Sequence, residues 1–359
     1  MIQSVVPNDL YSLFTLIVIL TRYIPRVIGS RVEPIIIQEM FPQRKGIYND
    51  LDKQPIDCRN KLPPRLERRY IVTGGNGLAR EVDFTQTDIT SAAAVDAAFQ
   101  KPWDRSTFHL PLTVFHTAAV ILASDRSKYL YGFPVAVNVE GTGNVWEAAR
   151  AAGADVFSST SRSSTSKFWA KEPWNFWQIL DERDFVQRPE RSHEDFFGNY
   201  PASKVVAERL VCPANCDSGV YGNPTDNTVG GPLSQPMFPT WVPHIVQSFV
   251  HGANVAIAHL HHEAPLLAKN GMPPQAGRPF VVTDPNPPIS YRDLYTAIST
   301  LSVHPFQAVV LLPVLILALS HLVEWYNLLP YRVPMLRRIL QEIKGDVRHL
   351  HPGLFSICT

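Results

Sequence analysis

The sequence has no excess of charge of either sign. Its 359 residues carry 33 Lys and Arg against 32 Asp and Glu, which leaves a formal net charge of +1 at pH 7. Proteins that bind nucleic acid or another polyanion usually carry a strongly basic surface. We therefore expect a small neutral or apolar ligand and no nucleic-acid partner.

Cysteine is scarce, and its spacing does not fit a metal centre. The pair Cys212 and Cys216 lacks the second Cys or His pair of a zinc site, and Cys58 and Cys358 stand alone. The histidine-rich stretch 259–263 lacks the His-x3-His spacing of a helical zinc site. We predict free thiols in a reducing compartment, ordinary histidines and no metal.

A hydrophobic run that could cross a bilayer without interruption is also absent. Residues 10–21 are uncharged but fewer than the ~20 that a helix needs. Residues 306–323 carry no formal charge but contain Pro313, and an aromatic pair that suits a headgroup boundary follows the run. Helices buried within the fold are the alternative. We predict membrane association through a short anchor at 10–21 and a membrane-contacting helix at 306–323.

A glycine turn follows the short apolar strand 70–72. Glycines in Thr73-Gly74-Gly75-Asn76-Gly77 allow the backbone to turn tightly and to approach a pyrophosphate, whose charge a helix N-terminus then favours. The position of the third glycine in that pattern is occupied by Arg80. These residues alone fit either a dinucleotide site or a simple turn.

Tyr200 and Lys204 lie four residues apart in Tyr-Pro-Ala-Ser-Lys, which places them on one face of a predicted helix at 200–210. A phenol has a pKa near 10, so it exchanges protons near neutral pH only if a cation stabilises its anion. Lys204 would be that cation. Hydroxyl residues at 158–164 follow a strand, where α/β sheets place ligand-binding groups. The alternatives are a solvated helix face and a serine-rich loop.

Strands and helices alternate through the middle of the chain. We predict an α/β fold with a Rossmann-like, doubly wound parallel sheet. The predicted strands are 70–72, 82–89, 113–119, 154–158 and 280–283, and the predicted helices are 91–99, 139–152, 200–210, 243–252 and 290–300. The predicted domains are an apolar anchor and linker at 1–65, a dinucleotide-binding domain at 66–222, and a small C-terminal substrate-binding region at 223–359.

These motifs, in this order, resemble the extended short-chain dehydrogenases, and most closely their 3β-hydroxysteroid dehydrogenase branch, which includes fungal sterol-4α-carboxylate 3-dehydrogenases. The resemblance covers roughly residues 66–355. It is carried by residues 72–77, 88–90, 114–119, 137–142, 200–204 and 281–284, ahead of the apolar run.

The resemblance implies hydride transfer from C3 of a steroid or sterol to NAD or NADP, in sterol biosynthesis at the endoplasmic reticulum membrane. Tyr200 would move the hydroxyl proton, and Lys204 would hold the nicotinamide ribose. The resemblance leaves open whether the protein forms a homodimer. The cofactor-binding positions that it implies are Gly74 and Gly77 at the pyrophosphate, Asp88 and Ile89 at the adenine, and Ala118 at the ribose.

The sequence departs from that pattern at the catalytic serine. Its position falls on Arg162, and the hydroxyls that could replace it are those of Ser161 and Ser163. A guanidinium cannot accept a proton. Together with Arg80, this departure favours the alternative of a catalytically silent relative that retains the fold to bind a partner or a sterol. A nucleotide-sugar epimerase on the same scaffold is disfavoured by the apolar run at 306–323.

Pieces of the expected fold are missing from the sequence. Only four residues separate Gly77 from Val82, whereas a parallel crossover needs at least about 10. Residues 212–219 offer no apolar run for the next parallel strand. We therefore predict an incomplete sheet, no full helix between Gly77 and Val82, and an adenine pocket open on one side. A faulty gene model or a decayed copy would explain these gaps.

Overall fold

The computed structural model describes the central and C-terminal parts of the chain. The described residues are 59–74, 85–121, 125–160, 192–193, 196, 198–212, 220–221, 236–241, 243–267, 276–284, 287–302, 305–338, 340, 343, 347 and 350–353. The predicted anchor at 10–21, the segment from Gly77 to Val82, and the stretch 161–163 lie outside these residues.

The strands are short, and most of the helices are longer. The strands are β1 (Arg69–Thr73), β2 (Leu112–His116), β3 (Ala154–Ser159), β4 (Val220–Tyr221), β5 (Met237–Thr240), β6 (Val246–Gln247), β7 (Phe280–Val281), β8 (Ile289–Ser290) and β9 (Gln307–Val310). The helices are α1 (Ala92–Phe99), α2 (Gly132–Val135), α3 (Gly141–Ala151), α4 (Asn199–Val211), α5 (Gly252–Leu266), α6 (Tyr291–Leu301) and α7 (Pro313–Arg332). A π-helical turn, Ala136–Glu140, joins α2 to α3.

The chain divides into two compact units. Among the described residues, the first unit holds those between 59 and 221, those at 246–289, and Gly353. The second unit holds the described residues at 236–245 and 290–352.

The first unit is built on a parallel sheet of β1, β2 and β3, in that order. Thr73 pairs with His116 and His116 pairs with Ser159, so the carboxyl ends of the three strands meet at one edge. The predicted α/β class with a parallel sheet is confirmed. The pair β4 and β7 is also parallel.

The two faces of this sheet pack differently. One face carries an apolar cluster formed with helices α1, α3 and α4, whose members are Val95, Leu112, Val114, Val145, Ala148, Ala149, Phe157 and Val211. Successive residues of a strand point to opposite faces. Thr113 and Phe115 therefore point to the other face, where Phe115 contacts the ring of His259 on α5.

Several predicted elements are present. Helix α1 begins after Ser91, whose hydroxyl accepts the backbone N–H of Ala94, and strand β3 and helix α4 lie where they were predicted. Helix α6 begins with a capping box in which Ser290 and Asp293 bond reciprocally.

Two predicted elements were wrong. The first is the predicted strand 82–89, whose described residues 85–88 form irregular chain. A turn follows at residues 89 and 90, because Asp88 accepts the N–H and the hydroxyl of Thr90. The predicted helix at 243–252 is a turn followed by β6. Helix α5 starts only at Gly252, because the ring of His251 caps it and Asp284 accepts the N–H of His251.

The run predicted as one membrane-contacting helix is two elements of the second unit. Its first residues form β9, which pairs with β5, and Pro313 then opens α7. Proline suits the first turn of a helix, where its missing N–H costs no hydrogen bond. Among the described helices, none is both long and apolar enough to cross a membrane.

Candidate active site at the carboxyl edge of the parallel sheet

Gly74 directly follows β1, at the point where the chain leaves the sheet. Its φ is +83°, and a Cβ built on it would lie 2.7 Å from the backbone nitrogen of Ala118. Only glycine fits this position, because an L side chain would be strained and would collide with backbone. The structure therefore brings together two of the predicted cofactor positions, Gly74 and Ala118.

A buried histidine joins the ends of β1 and β2 to α3. His116 lies 2.7 Å through Nδ1 from the hydroxyl of Thr73 and 3.0 Å through Nε2 from the hydroxyl of Thr142. Since Thr142 donates its own proton to the carbonyl of Asn138, His116 Nε2 must donate to Thr142 and Nδ1 must accept from Thr73. Burial lowers the pKa of His116 from 6.5 to about 3, so the ring is neutral.

Asn138 in the π-helical turn connects the loop after β2 to α4. Its amide oxygen accepts the N–H of Val120 at 2.8 Å, and its amide nitrogen donates to the carbonyl of Val120 and to the hydroxyl of Ser203 at 2.9 Å. Asn138 is fully buried. It fixes the loop that carries Ala118 relative to the helix that carries Tyr200.

Tyr200 and Lys204 are both buried on α4, with 6% and 2% of their surfaces exposed. Lys204 Nζ donates to the carbonyl of Thr160 at 2.7 Å, and the N–H of Thr160 donates to the carbonyl of His116. Burial lowers the pKa of Lys204 to about 8, and the carboxylate of Glu208 partly offsets that effect. The predicted pair therefore lies at the carboxyl edge of the sheet.

The predicted adenine positions precede α1. The Ile89 side chain lies against Gly141, where a Cβ would come within 2.9 Å of it, and the Ile89 carbonyl accepts from Asn144 at 2.9 Å. The carboxylate of Asp88 is exposed, and its hydrogen bonds from Thr90 hold its pKa below the usual value. Gly77, Ser161 and Ser163 lie outside the described residues.

Sequence reasoning missed the roles of His116, Asn138 and His259 in fixing this site, and it included Thr160 only as one hydroxyl of the run 158–164. Asn138 lies in the segment 137–142 that carries the resemblance but has no role assigned there, and the sequence predicts an ordinary histidine at His259. The described residues hold no cluster of possible metal ligands.

The described residues fit a dinucleotide with a nicotinamide. Gly74 turns the chain with a positive φ directly after β1 and packs against the backbone of Ala118, which fits the tight turn made by the first glycine of a dinucleotide-binding loop. Lys204 supplies a buried cation at the same edge of the sheet.

The chain is similar to known nicotinamide-binding proteins. Residues 112–221 match an NAD-binding family model described as male sterility protein. No curated protein matches the chain. This family match supports the predicted cofactor, NAD or NADP, and a nicotinamide-dependent oxidoreductase as the class of protein.

Several solved structures are also similar. RMD from Pseudomonas aeruginosa complexed with NADPH is 16% identical, with a TM-score of 0.46, over 67% of this chain and 84% of that chain. A dTDP-4-dehydrorhamnose reductase from Clostridium acetobutylicum is 17% identical, with a TM-score of 0.44, over 68% and 84% of the two chains. The enzyme of that name from Bacillus anthracis, in complex with NADP, is 17% identical, with a TM-score of 0.45, over 69% and 85%.

Proposed function

We propose that this chain is a nicotinamide-dependent oxidoreductase that oxidises the 3β-hydroxyl of a steroid or sterol. The observation that carries the proposal is the buried pair Tyr200 and Lys204, at the sheet edge where Gly74 packs on Ala118. An acid/base group, a cation and a dinucleotide cradle at one edge are the parts that hydride transfer to a nicotinamide requires from a protein.

Each residue has a defined task in this proposal. Lys204 binds the nicotinamide ribose, and its positive charge stabilises the anion of Tyr200. Tyr200 takes the proton from the 3β-hydroxyl as the hydride leaves C3. The bound nicotinamide supplies the hydride acceptor. The oxidation removes one hydride and one proton from the substrate and leaves a 3-ketone.

The steroid substrate comes from the sequence resemblance, and so do the membrane and the endoplasmic reticulum as its location. The apolar surface of α7 supports membrane association alone, because Val314, Leu322 and Trp325 are exposed large hydrophobic residues. Burial in hydrocarbon is not screened by ions. The protein should therefore float with liposomes at high salt, and its recovery with the unbound fraction would contradict membrane association.

A catalytically silent relative is the second candidate. Arg162 at the expected serine position and Arg80 at the third glycine favour it. A silent relative that binds a partner has no need of a nicotinamide dinucleotide. Saturable NADH binding therefore favours an enzyme over this candidate.

Turnover of a matched pair of steroids tests the proposed function. Epiandrosterone carries a 3β-hydroxyl and androsterone its 3α epimer, and the absorbance of reduced nicotinamide reports the reaction of each. We expect reduction of NAD or NADP with epiandrosterone alone. Tyr200→Phe should abolish that reaction and leave NADH binding intact, since only the phenolic hydroxyl that takes the proton is lost. Equal turnover by Tyr200→Phe, or none by the wild-type chain, would overturn the proposal.

A further inference from the structure

Helices α4 and α5 lie on opposite faces of the parallel sheet. Phe157 and Ser158 are neighbours in β3 and therefore point to opposite faces. Phe157 belongs to the apolar cluster that includes Val211 of α4, whereas the hydroxyl of Ser158 lies 2.6 Å from Nδ1 of His259 on α5. His259 thus reaches β3 from the face opposite to Lys204.

Thr160 connects these two faces. Its carbonyl accepts from Lys204 Nζ at 2.7 Å, and its hydroxyl lies 3.0 Å from Nε2 of His259. Its N–H is bound to the carbonyl of His116. Every polar group of Thr160 is therefore engaged, and the orientation of the carbonyl that receives Lys204 is coupled to a side chain on α5.

We propose that Thr160 and His259 are positioning residues for Lys204, because the bond between them fixes the carbonyl that holds the Lys204 ammonium. The proposal rests on the proposed function for its consequence, since a correctly placed Lys204 is what would bind the nicotinamide ribose. Helix α5 thereby gains a role in the site, which the sequence did not predict for its histidines.

His259 acts here as a neutral group. It is 5% exposed, and burial, together with the nearby His262, lowers its pKa from 6.5 to about 4. Its ring makes a T-shaped contact with the ring of Phe115 on β2. Near neutral pH it therefore holds Thr160 and Ser158 by hydrogen bonding and contributes no charge to Lys204.

A second polar contact of α5 provides a matched control. Glu263, one turn after His259, accepts from the hydroxyl of Thr113 on β2 at 2.5 Å and pairs with Arg68. Thr113 and Thr160 each use a hydroxyl to bind α5 from the sheet. The Thr113 hydroxyl also accepts from Arg68 Nε at 2.8 Å, so its loss should destabilise the protein at least as much as loss of the Thr160 hydroxyl. Only Thr160 also holds Lys204, so only its loss should change the environment of Lys204.

The first measurement needs no cofactor. The full-length wild-type chain, Thr160→Val and Thr113→Val are treated with an acylating ester, and the labelling rate of Lys204 is read by peptide mass spectrometry, with exposed Lys101 as the internal reference. We expect Lys204 to react roughly fivefold faster in Thr160→Val, the factor that corresponds to one lost hydrogen bond of about 1 kcal/mol. Thr113→Val should stay within about twofold of the wild type, and Thr160→Ser, which keeps the hydroxyl, should restore protection.

The second measurement is the dissociation constant of NADH for the same variants, which should rise roughly fivefold in Thr160→Val alone. Should Thr160→Val fail to fold, His259→Gln tests the same bond. Equal labelling of Lys204 in Thr160→Val and Thr113→Val would overturn the positioning role. A wild-type chain that does not bind NADH would overturn the proposed function instead, while the labelling rates would still decide the role of Thr160.

Discussion

At the residue scale, the charge of Lys204 is the property on which the site depends. The ammonium is buried, with the Thr160 carbonyl as an acceptor, and its pKa is lowered to about 8 by burial. Lys204 is therefore mostly charged at pH 7 and loses its proton as the pH rises through 8. An anionic dinucleotide placed beside it favours the protonated form and raises its pKa again.

This coupling predicts that NADH binding takes up protons. At pH 8 the free protein is half protonated at Lys204, so binding should draw in up to about half a proton. Calorimetric titrations in two buffers of different ionisation enthalpy measure the uptake directly. Lys204→Met should bind NADH more weakly and without that uptake. Equal uptake by the variant would place the titrating group elsewhere.

At the element scale, two neutral histidines link strands to helices by hydrogen bonds at the carboxyl edge of the sheet. His116 holds β2 to α3 through Thr142, and His259 holds α5 to β3. Burial lowers both pKa values, to about 3 for His116 and about 4 for His259. Both contacts therefore depend on rings that stay unprotonated in the folded state.

These lowered pKa values predict loss of stability in mild acid. Below pH 6.5 the unfolded chain binds protons that the folded chain does not, so the free energy of unfolding falls as the pH falls. The loss between pH 7 and pH 5 should be about 2 kcal/mol for each histidine. In urea unfolding, His259→Gln should lose about 2 kcal/mol less over that interval than the wild type. An unchanged pH dependence would show that His259 is already protonated at pH 5.

Local signals in the sequence predict some helix boundaries and miss others. Ser91 and Ser290 are hydroxyl caps of the usual kind, and both helices that they open, α1 and α6, lie where predicted. Helix α5 was misplaced because its cap is the ring of His251, stabilised by Asp284 from a distant segment. The π-helical turn at Asn138 has no local signature either, because its contacts with Val120 and Ser203 form only in the folded chain.

At the scale of the whole molecule, the alternation of strands and helices was enough to predict a parallel α/β sheet. The Tyr200–Lys204 pair was also predictable, since four residues on one helix define it. The groups that orient the pair were not, because Thr160 lies 44 residues from Lys204 and 99 residues from His259. Such contacts depend on tertiary packing, which no short motif records. The predicted gap between Gly77 and Val82 stays a prediction, outside the described residues.

The central claim is that the edge formed by Gly74, Ala118 and Lys204 binds a nicotinamide dinucleotide. Titration of the purified full-length chain with NADH and with NADPH, followed by nicotinamide fluorescence, tests it most directly. We predict saturable binding of at least one of them, weakened at least roughly tenfold in Lys204→Met, which loses a charged hydrogen-bond donor, and unchanged in Lys101→Met at the surface. No saturable binding of either dinucleotide by the wild-type chain, or equal binding by both variants, would contradict the claim.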